Sequence, residues 1–331
     1  MLRSETAAEP ERMTRALEGL RKYQEAPRAA SLPAMPAVAT RHGASLRDYG
    51  EGAGGPPLLF VPSLINPPDI LDLSAERSLL RWLAARGHRP LLLDWGKDDA
   101  QRRGFSVADH IEAILLPLIA ELGEAPILIG YCLGGTMAVA AARLARTLSV
   151  ATIAAPWHFS AYPEEARAPM NRLWEQAEPA VRTLGVLPME MLQSAFWGLD
   201  PVRTVAKFEA FAGMDPASPE ARAFVRLEDW ANDGAPLPGE AARELFLDLF
   251  QADRPGAGTW RVGGQAIDPA ALRCPQLHIA STTDRIVPHG SAIRTGERID
   301  LALGHVGMMI GSRAEDTLWR GLSDWLSRTG G

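Results

Sequence analysis

The sequence predicts an α/β fold, in which a mostly parallel sheet carries helices on both faces and is interrupted by a mainly helical insertion. Short apolar runs alternate with helical patterns between residues 57 and 154, as is typical of parallel strands joined by crossover helices. The alternation stops near residue 157 and resumes at residues 276–280, which indicates an insertion within one domain. With 331 residues, 47% of them hydrophobic, the chain can bury a sizeable core.

The N-terminal segment is predicted to be a helical arm followed by a linker. Apolar residues recur at helical spacing over residues 11–24. Three prolines then interrupt this pattern over residues 25–40, which favours a linker. We therefore assign residues 1–40 to an arm that packs on the body of the protein.

The central elements are predicted from apolar runs and the breakers beside them. We expect strands at 57–61, 90–95, 126–130, 150–154 and 276–280, and helices at 74–86, 107–122, 136–146 and from 314 onward. Ser74 is expected to cap the first of these helices, and Pro117 to kink the second. The predicted core then comprises residues 41–157 and 266–331, and residues 158–265 form a cap insertion that admits substrate.

The most informative motif surrounds Cys132, at the turn between a predicted strand and a predicted helix. Glycines two positions to either side are typical of a nucleophile elbow, with Cys in place of the usual Ser. The helix N-terminus favours a thiolate and directs backbone N–H groups at developing negative charge. Leu133 N–H is therefore the first predicted oxyanion donor, and a second is expected near Leu64 or Ile65. The alternative is that Cys132 is a small buried hydrophobe at an ordinary turn.

Two later residues complete a predicted catalytic triad. Asp284 follows the strand at 276–280, where the α/β-hydrolase fold keeps its carboxylate. His305 lies in a glycine-flanked loop before the last helix, and the order Cys132, Asp284, His305 is the order of that fold. The alternatives are that Asp284 is a solvated loop residue that pairs with Arg285, and that His305 is packed by its own neighbours.

Charge, cysteine count and motif spacing argue against several other functions. The formal net charge of −6 provides no overall positive field for nucleic acid or anionic lipid. Two cysteines cannot build a disulfide framework, and the remaining histidines lack metal-ligand spacing, so we expect no metal and no bound cofactor. No signal peptide and no run of ~18 apolar residues is visible, which predicts a cytoplasmic protein without a transmembrane segment.

Short motifs in a fixed order and spacing run through residues 58–330. They are Leu64-Ile-Asn66-Pro67, Asp94-Trp95-Gly96, Gly130-Tyr-Cys132-Leu-Gly134-Gly135, Ala155-Pro156-Trp157-His158-Phe159, Asp229-Trp230-Ala-Asn-Asp233, Asp284 to Pro288, and Gly304-His305-Val-Gly-Met308. With these motifs the chain resembles the polyhydroxyalkanoate synthases, and among them the catalytic subunit of the class III, two-subunit type. Arg285 stands where that family commonly has His, and residues 160–225 do not clearly resemble it.

The resemblance implies an acyltransferase that polymerises (R)-3-hydroxyacyl-CoA thioesters and releases CoA. In that reaction Cys132 would carry the growing chain as a thioester and His305 would deprotonate the thiol. Asp284 would activate the 3-hydroxyl of the substrate or orient His305. The resemblance also implies a second synthase subunit or a homodimer, and a place at the surface of polyester granules.

Thioester chemistry gives an independent reason to expect transfer of the acyl group rather than its hydrolysis. A thiolate that attacks an acyl-CoA exchanges one thioester for another, so the acyl group stays activated. The main alternative is a Cys-dependent hydrolase on the same scaffold: a thioesterase, an esterase or an intracellular polyester depolymerase. A third hypothesis is a non-catalytic binding or scaffold protein, although such a protein has no need of Cys132, Asp284 and His305 together.

Overall fold

An eight-stranded sheet lies at the centre of the computed structural model, which describes residues 2–30, 32–50, 52–97 and 100–329. The strands are β1 Ala37–Arg41, β2 Ala44–Asp48, β3 Pro57–Val61, β4 Arg89–Asp94, β5 Ile127–Tyr131, β6 Ser149–Ile153, β7 Gln276–Ser281 and β8 Glu297–Leu301. Their spatial order is β1-β2-β4-β3-β5-β6-β7-β8. Strand β2 is antiparallel to both of its neighbours, and all other adjacent pairs are parallel.

Helices pack on both faces of this sheet and fill the segment between β6 and β7. They are α1 Leu2–Glu5, α2 Pro10–Glu25, α3 Leu79–Ala84, α4 107–121, α5 Leu133–Leu144, α6 Glu164–Leu184, α7 Met189–Leu199, α8 Pro201–Ala212, α9 Pro219–Asn232, α10 239–251, α11 Gly307–Ile310 and α12 315–329. Short 3₁₀ turns occur at Pro68–Leu71, Ala100–Arg102, Phe159–Ala161, Pro269–Ala271 and His289–Ser291. Three short antiparallel ladders pair Asp72–Ser74 with Arg77–Ser78, Val186–Leu187 with Leu237–Pro238, and Arg261–Val262 with Gln265–Ala266.

The strands at the centre of the sheet are buried on both faces. Every residue of β3, β5 and β6 is buried, which explains why apolar residues predominate in these segments. Along β3, Leu59 and Val61 belong to one apolar cluster, whereas Leu58 and Phe60 belong to the cluster on the opposite face. Because β3, β5 and β7 run in the same direction, their carboxyl ends lie at the same edge of the sheet. Ligands bind at this edge in open α/β sheets.

Several local predictions are corrected. The helix expected at 74–86 begins only at Leu79, and its cap is Ser78, whose Oγ accepts a hydrogen bond from Arg81 N at 3.0 Å. Residues 37–41 at the end of the predicted linker form β1, whose mostly exposed residues carry no apolar pattern. The edge strand β8 was not predicted for the same reason, and β2, of which only two residues are buried, was not predicted either.

Pro117 alters helix α4 in a specific way. The helix runs as Val107–His110, a π-helical turn Ile111–Leu115, and then Leu116–Glu121. Because Pro117 has no N–H, the regular hydrogen bond to the preceding turn is lost, and a π turn is a common way to accommodate this loss. The sequence predicted a kink at Pro117, and the irregularity lies in the turn before it.

The N-terminal arm packs on the helices between β6 and β7 rather than on the sheet. A Cβ atom at Gly19 in α2 would lie 1.9 Å from the carbonyl oxygen of Phe208, so the two helices touch at backbone distance. Tyr23 Oη donates a hydrogen bond to Asp229 Oδ1 in α9 at 2.8 Å. The domain boundaries assigned from the sequence stay a prediction, since contact alone does not test which segments move together.

Candidate active site

Cys132 occupies a sharp turn between β5 and α5. Its backbone has φ 54° and ψ −130°, a conformation that residues with a side chain rarely adopt. A Cβ atom at Gly130 would lie 2.3 Å from Gly135 Cα, and one at Gly134 would lie 2.0 Å from Val61 O. Neither position therefore accepts a side chain. The glycine spacing thus follows from close backbone packing, which brings the end of β3 against the first turn of α5.

The structure brings Asp284 and His305 into direct contact. His305 Nδ1 lies 2.6 Å from Asp284 Oδ2, and both side chains are buried. The other carboxylate oxygen, Asp284 Oδ1, accepts hydrogen bonds from Ile286 N at 2.7 Å and Val287 N at 3.1 Å. Asp284 is therefore held by its own loop in an orientation that leaves one oxygen for the imidazole.

Ser281, the last residue of β7, connects the loops that carry these two residues. Its hydroxyl donates a hydrogen bond to Leu303 O and accepts one from Thr283 N at 3.1 Å. The Tyr131 ring lies 5.0 Å from the His305 ring, and Tyr131 Oη donates to His305 O at 3.4 Å. Both His305 and its loop are thus held by neighbouring elements.

The third member, Cys132, lines the same cavity as His305 and lies close enough to raise the pKa of that imidazole. Asp284 engages Nδ1, so Nε2 is the ring nitrogen left for the thiol. Burial lowers the pKa of His305, but the charges of Asp284 and Cys132 and the hydrogen bonds to both outweigh burial and raise that pKa to about 10. The imidazole is therefore protonated at neutral pH, in a position to stabilise a thiolate at Cys132.

The predicted oxyanion donors differ in their environments. Leu133 is the first residue of α5, and its N–H belongs to the first turn, whose N–H groups have no partner within the helix. Ile65 N–H donates to Ser63 Oγ at 3.2 Å, so this amide is already engaged. Leu64 is only partly buried and packs against an apolar cluster. The second donor stays a prediction: of the two candidates, Ile65 lines both cavities at Cys132 and Leu64 lines neither.

Two cavities meet at Cys132. The larger, of about 310 Å³, contains His305 and Asp284 together with polar side chains such as Gln193 and Arg203. The smaller, of about 80 Å³, has a mostly apolar lining: Ile65, Leu133, Pro156, Phe159, Tyr162, Ala166, Met170, Leu192, Ala195, Phe196, Leu199, Leu245, Phe250, Ile286 and Val287, with Arg285 also present. We call the smaller space the apolar chamber. One thiol thus faces a larger space that also carries polar and charged side chains, and a smaller, almost entirely apolar one.

Several residues of this site were not predicted from the sequence. Ser63, Gln193 and Arg203 line the larger cavity, and Tyr162 lines the apolar chamber. Burial, followed by the charges of Cys132 and Asp284, raises the pKa of Tyr162 well above its ordinary value, so its hydroxyl is neutral. Ser63, a polar residue directly after the proline that follows β3, could have been recognised from the sequence. No local sequence pattern distinguishes Gln193, Arg203 or Tyr162.

Arg285 does not pair with Asp284, in contrast to the alternative considered for that loop. Its Nη1 atom lies 2.7 Å from Asp200 Oδ2, which belongs to the turn between α7 and α8. Among the residues that the structure describes, no cluster of three or more His, Cys, Asp or Glu could hold a metal ion. Within the same ranges, no helix is long and apolar enough to cross a membrane.

Comparison with characterised proteins finds relatives named "Poly(3-hydroxyalkanoate) polymerase subunit PhaC". The relative from Haloferax mediterranei is 27% identical over 288 residues, covering 82% of this chain and 58% of its own length. Those from Thiocystis violacea and Allochromatium vinosum are 28% and 27% identical, with 80% and 84% of their lengths covered. The chain thus spans about six tenths of the Haloferax protein and most of the other two. The resemblance predicted from the motifs is confirmed, although no family model matches the chain.

Solved structures confirm the predicted α/β-hydrolase fold. An alpha/beta hydrolase fold protein from Nakamurella multipartita superposes with a TM-score of 0.51 at 18% identity, covering 91% of this chain and 100% of that one. A thermophilic esterase from Thermogutta terrifontis gives a TM-score of 0.55 at 18% identity over the same shares of the two chains. At such identities the likeness concerns the fold alone.

Proposed function

We propose that this protein is a polyhydroxyalkanoate synthase-like acyltransferase that polymerises (R)-3-hydroxyacyl-CoA through an acyl thioester on Cys132. The observation that carries the proposal is a thiol, rather than a hydroxyl, at the nucleophile elbow, in the same cavity as a buried imidazole that is paired with Asp284. Similarity to poly(3-hydroxyalkanoate) polymerases over 82% of the chain supports the choice of substrate.

In the first half-reaction the Cys132 thiolate attacks the thioester carbonyl of the acyl-CoA. The carbonyl oxygen becomes an oxyanion, for which Leu133 N–H is the proposed first donor. When the oxyanion collapses, the carbon–sulfur bond to CoA breaks, and the CoA thiolate takes the proton held by His305. The products are free CoA, an acyl-Cys132 thioester and a neutral imidazole.

In the second half-reaction the neutral His305 accepts the proton of a 3-hydroxyl group as its oxygen attacks the acyl-Cys132 carbonyl. The carbon–sulfur bond to Cys132 breaks, an oxygen ester forms, and the thiolate–imidazolium pair is restored. Asp284 stabilises the imidazolium throughout and fixes its orientation. The acceptor is the 3-hydroxyl of a second hydroxyacyl-CoA, so each cycle lengthens the chain by one unit. The extended chain, now a CoA thioester, then acylates Cys132 again and releases CoA.

The two cavities suit this cycle. The apolar chamber offers the acyl chain a recess beside the thiol, while the larger cavity leaves an approach for the CoA portion or for the incoming hydroxyl. Water finds few hydrogen-bonding partners in the apolar chamber, so an acyl group bound there is shielded from hydrolysis. This favours transfer of the acyl group to a hydroxyl group. We propose no metal and no bound cofactor for this reaction.

The proposal includes a partner and a location. By analogy with the relatives named as polymerase subunits, we propose that a second subunit or a second copy of the chain completes the active assembly. We also propose that the protein lies in the cytoplasm at the surface of polyester granules. Co-sedimentation of the protein with granules, and its mass in solution with and without polymer, would test both points.

The decisive experiment incubates the purified protein with (R)-3-hydroxybutyryl-CoA, follows CoA release with a thiol reagent and determines the product by mass. We expect CoA release together with oligomeric or polymeric ester. Release with free 3-hydroxybutyrate alone would instead establish a thioesterase. If no CoA is released, finished polyester is the next substrate to test, because depolymerisation would support the hydrolase alternative.

A further inference from the structure

We propose that Arg203 and Arg285 form an anion site at the rim of the larger cavity, and that this site binds a phosphate group in the CoA portion of the substrate. The inference rests on the proposed acyl-CoA chemistry and adds which residues recognise the leaving group. Both arginines are exposed, and both line the cavity that contains Cys132 and His305.

The two arginines come from distant parts of the chain, and Asp200 connects them. Asp200 Oδ1 accepts a hydrogen bond from Arg203 N at 3.1 Å, while Asp200 Oδ2 pairs with Arg285 Nη1 at 2.7 Å. One carboxylate thus holds the backbone of α8 and the guanidinium of the Asp284 loop beside each other. A guanidinium has five N–H donors, so the bond to Asp200 leaves Arg285 further donors for a ligand.

The charges around the cavity leave a net positive rim. Lys207 also lines it, but its ammonium is neutralised by Glu228 at 2.7 and 2.8 Å. Asp284 is paired with His305, and Asp200 offsets Arg285. Among the described residues no carboxylate lies within ion-pair distance of the Arg203 guanidinium, which approaches Gly304 in the histidine loop. The positive charge of Arg203 is therefore uncompensated at the entrance to the nucleophile.

A phosphate fits this arrangement better than the acyl portion of the substrate does. Hydroxyacyl groups and polyester are neutral, so neither explains a cationic rim in a chain whose net charge is −6. Guanidinium groups bind phosphate oxygens through two parallel hydrogen bonds, and they stay charged at any pH that a protein tolerates. CoA carries phosphates beyond its thiol arm, and the proposed reaction must bind that arm first and release it afterwards.

The test compares two thioesters of the same acid, (R)-3-hydroxybutyryl-CoA and (R)-3-hydroxybutyryl-N-acetylcysteamine, of which only the first carries phosphate. Arg203→Gln and Arg285→Gln are expected to raise KM for the CoA thioester about tenfold with little change in kcat. Neither variant should change KM for the phosphate-free thioester. Arg203→Lys keeps the charge without the planar fork and should give an intermediate KM.

The matched control is Arg182→Gln, which removes an exposed arginine of α6 that is paired with Glu178 away from the cavity. It should leave both KM values unchanged. An equal rise in KM for both thioesters, or no rise for either, would overturn the anion site. The thioester of 4′-phosphopantetheine, which has one phosphate, then shows whether that phosphate or the nucleotide part is recognised.

A binding measurement separates this inference from the proposed function. Calorimetric titration with free CoA should give a Kd about tenfold weaker in Arg203→Gln than in the unaltered protein. If that difference appears while neither thioester is turned over, the anion site stands and the acyltransferase proposal fails. If free CoA does not bind to the unaltered protein, the anion site is wrong whatever reaction the protein catalyses.

Discussion

His305 Nδ1 lies 2.6 Å from Asp284 Oδ2, in a contact between two buried side chains from neighbouring loops at the end of the sheet. A buried carboxylate is costly unless its charge is compensated, and the imidazolium compensates it. The pair in turn places a positive charge beside the Cys132 side chain. The reactivity of the thiol is therefore expected to depend on a carboxylate that it does not touch.

Cys132→Ser tests whether the acyl group is stored as a thioester. An oxygen ester is a poorer acyl donor than a thioester, so we expect polymer formation to fall by at least about a thousandfold. Slow hydrolysis of the acyl-CoA can survive, and Cys132→Ala should abolish both reactions while the protein stays folded. The measurement is CoA release with product mass. Polymerisation by Cys132→Ala at near-normal rates would contradict the assignment of the nucleophile.

Asp284→Asn tests the origin of the charge on His305. The substitution removes the largest charge that raises the pKa of His305 and leaves burial, which lowers it, so the pKa falls and less of the imidazole is charged at pH 7. We expect alkylation of Cys132 by iodoacetamide at pH 7 to slow about tenfold or more. Cys274 in the same chain is the internal control, because its alkylation rate should not change. Equal rates at Cys132 in both proteins would show that Asp284 does not govern the thiol.

The stability of the buried pair should depend on pH with a definite sign. The pKa of His305 is raised from 6.5 to about 10, so its protonation stabilises the folded state fully below about pH 6.5. This contribution is lost as pH rises from 6.5 towards 10. Removing one partner of a buried ion pair costs about 3 kcal/mol. The difference in the free energy of unfolding between the unaltered protein and Asp284→Asn should therefore be near that value at pH 6 and shrink towards pH 10 in denaturant titrations.

Ala195→Phe tests the apolar chamber. Ala195 lines this space of about 80 Å³, and a phenyl ring there would occupy the volume assigned to the acyl chain. Acylation of Cys132 by (R)-3-hydroxybutyryl-CoA, followed by intact mass, should slow about tenfold, roughly 1.4 kcal/mol in activation free energy. Alkylation by the smaller iodoacetamide should change much less. The control is Ala206→Phe on the exposed face of α8, and unchanged acylation in Ala195→Phe would place the acyl chain elsewhere.

Gly134→Ala tests the backbone packing that forms the elbow. The new Cβ would lie 2.0 Å from Val61 O, so β3 and α5 must separate, at a cost of about 3 kcal/mol in the free energy of unfolding. Gly198→Ala is the matched control, because nothing lies within 4 Å of its Cβ position in α7. That change should stabilise the protein by about 0.5–1 kcal/mol through helix propensity. Equal stability of the two variants in thermal unfolding would contradict the close packing at the elbow.

Prediction from sequence succeeded where a segment's own residues determine its environment. Strand β3 was predicted with its observed bounds because all five residues are buried. Cys132 was singled out because the turn requires glycine at both flanks. Strands β1 and β8 were missed because edge strands with mostly exposed residues lack an apolar pattern. Strand β2 was missed because only two of its five residues are buried. The misplaced cap of α3 shows the same limit, since Ser74 and Ser78 are both good caps and only the short ladder at 72–78 decides between them.

The sequence by itself identified the candidate nucleophile, the chain order of the three candidate catalytic residues and the parallel core, because local patterns specify burial and backbone conformation within each segment. Only the tertiary structure decided that Ile65 N–H is engaged by Ser63, that an apolar chamber adjoins Cys132, and that Arg203 and Arg285 share one rim. The Ile65–Ser63 contact is local but depends on the backbone conformation after β3. The apolar chamber and the shared rim join segments far apart in the chain, so they depend on where the helices between β6 and β7 lie relative to Cys132, which no local pattern encodes.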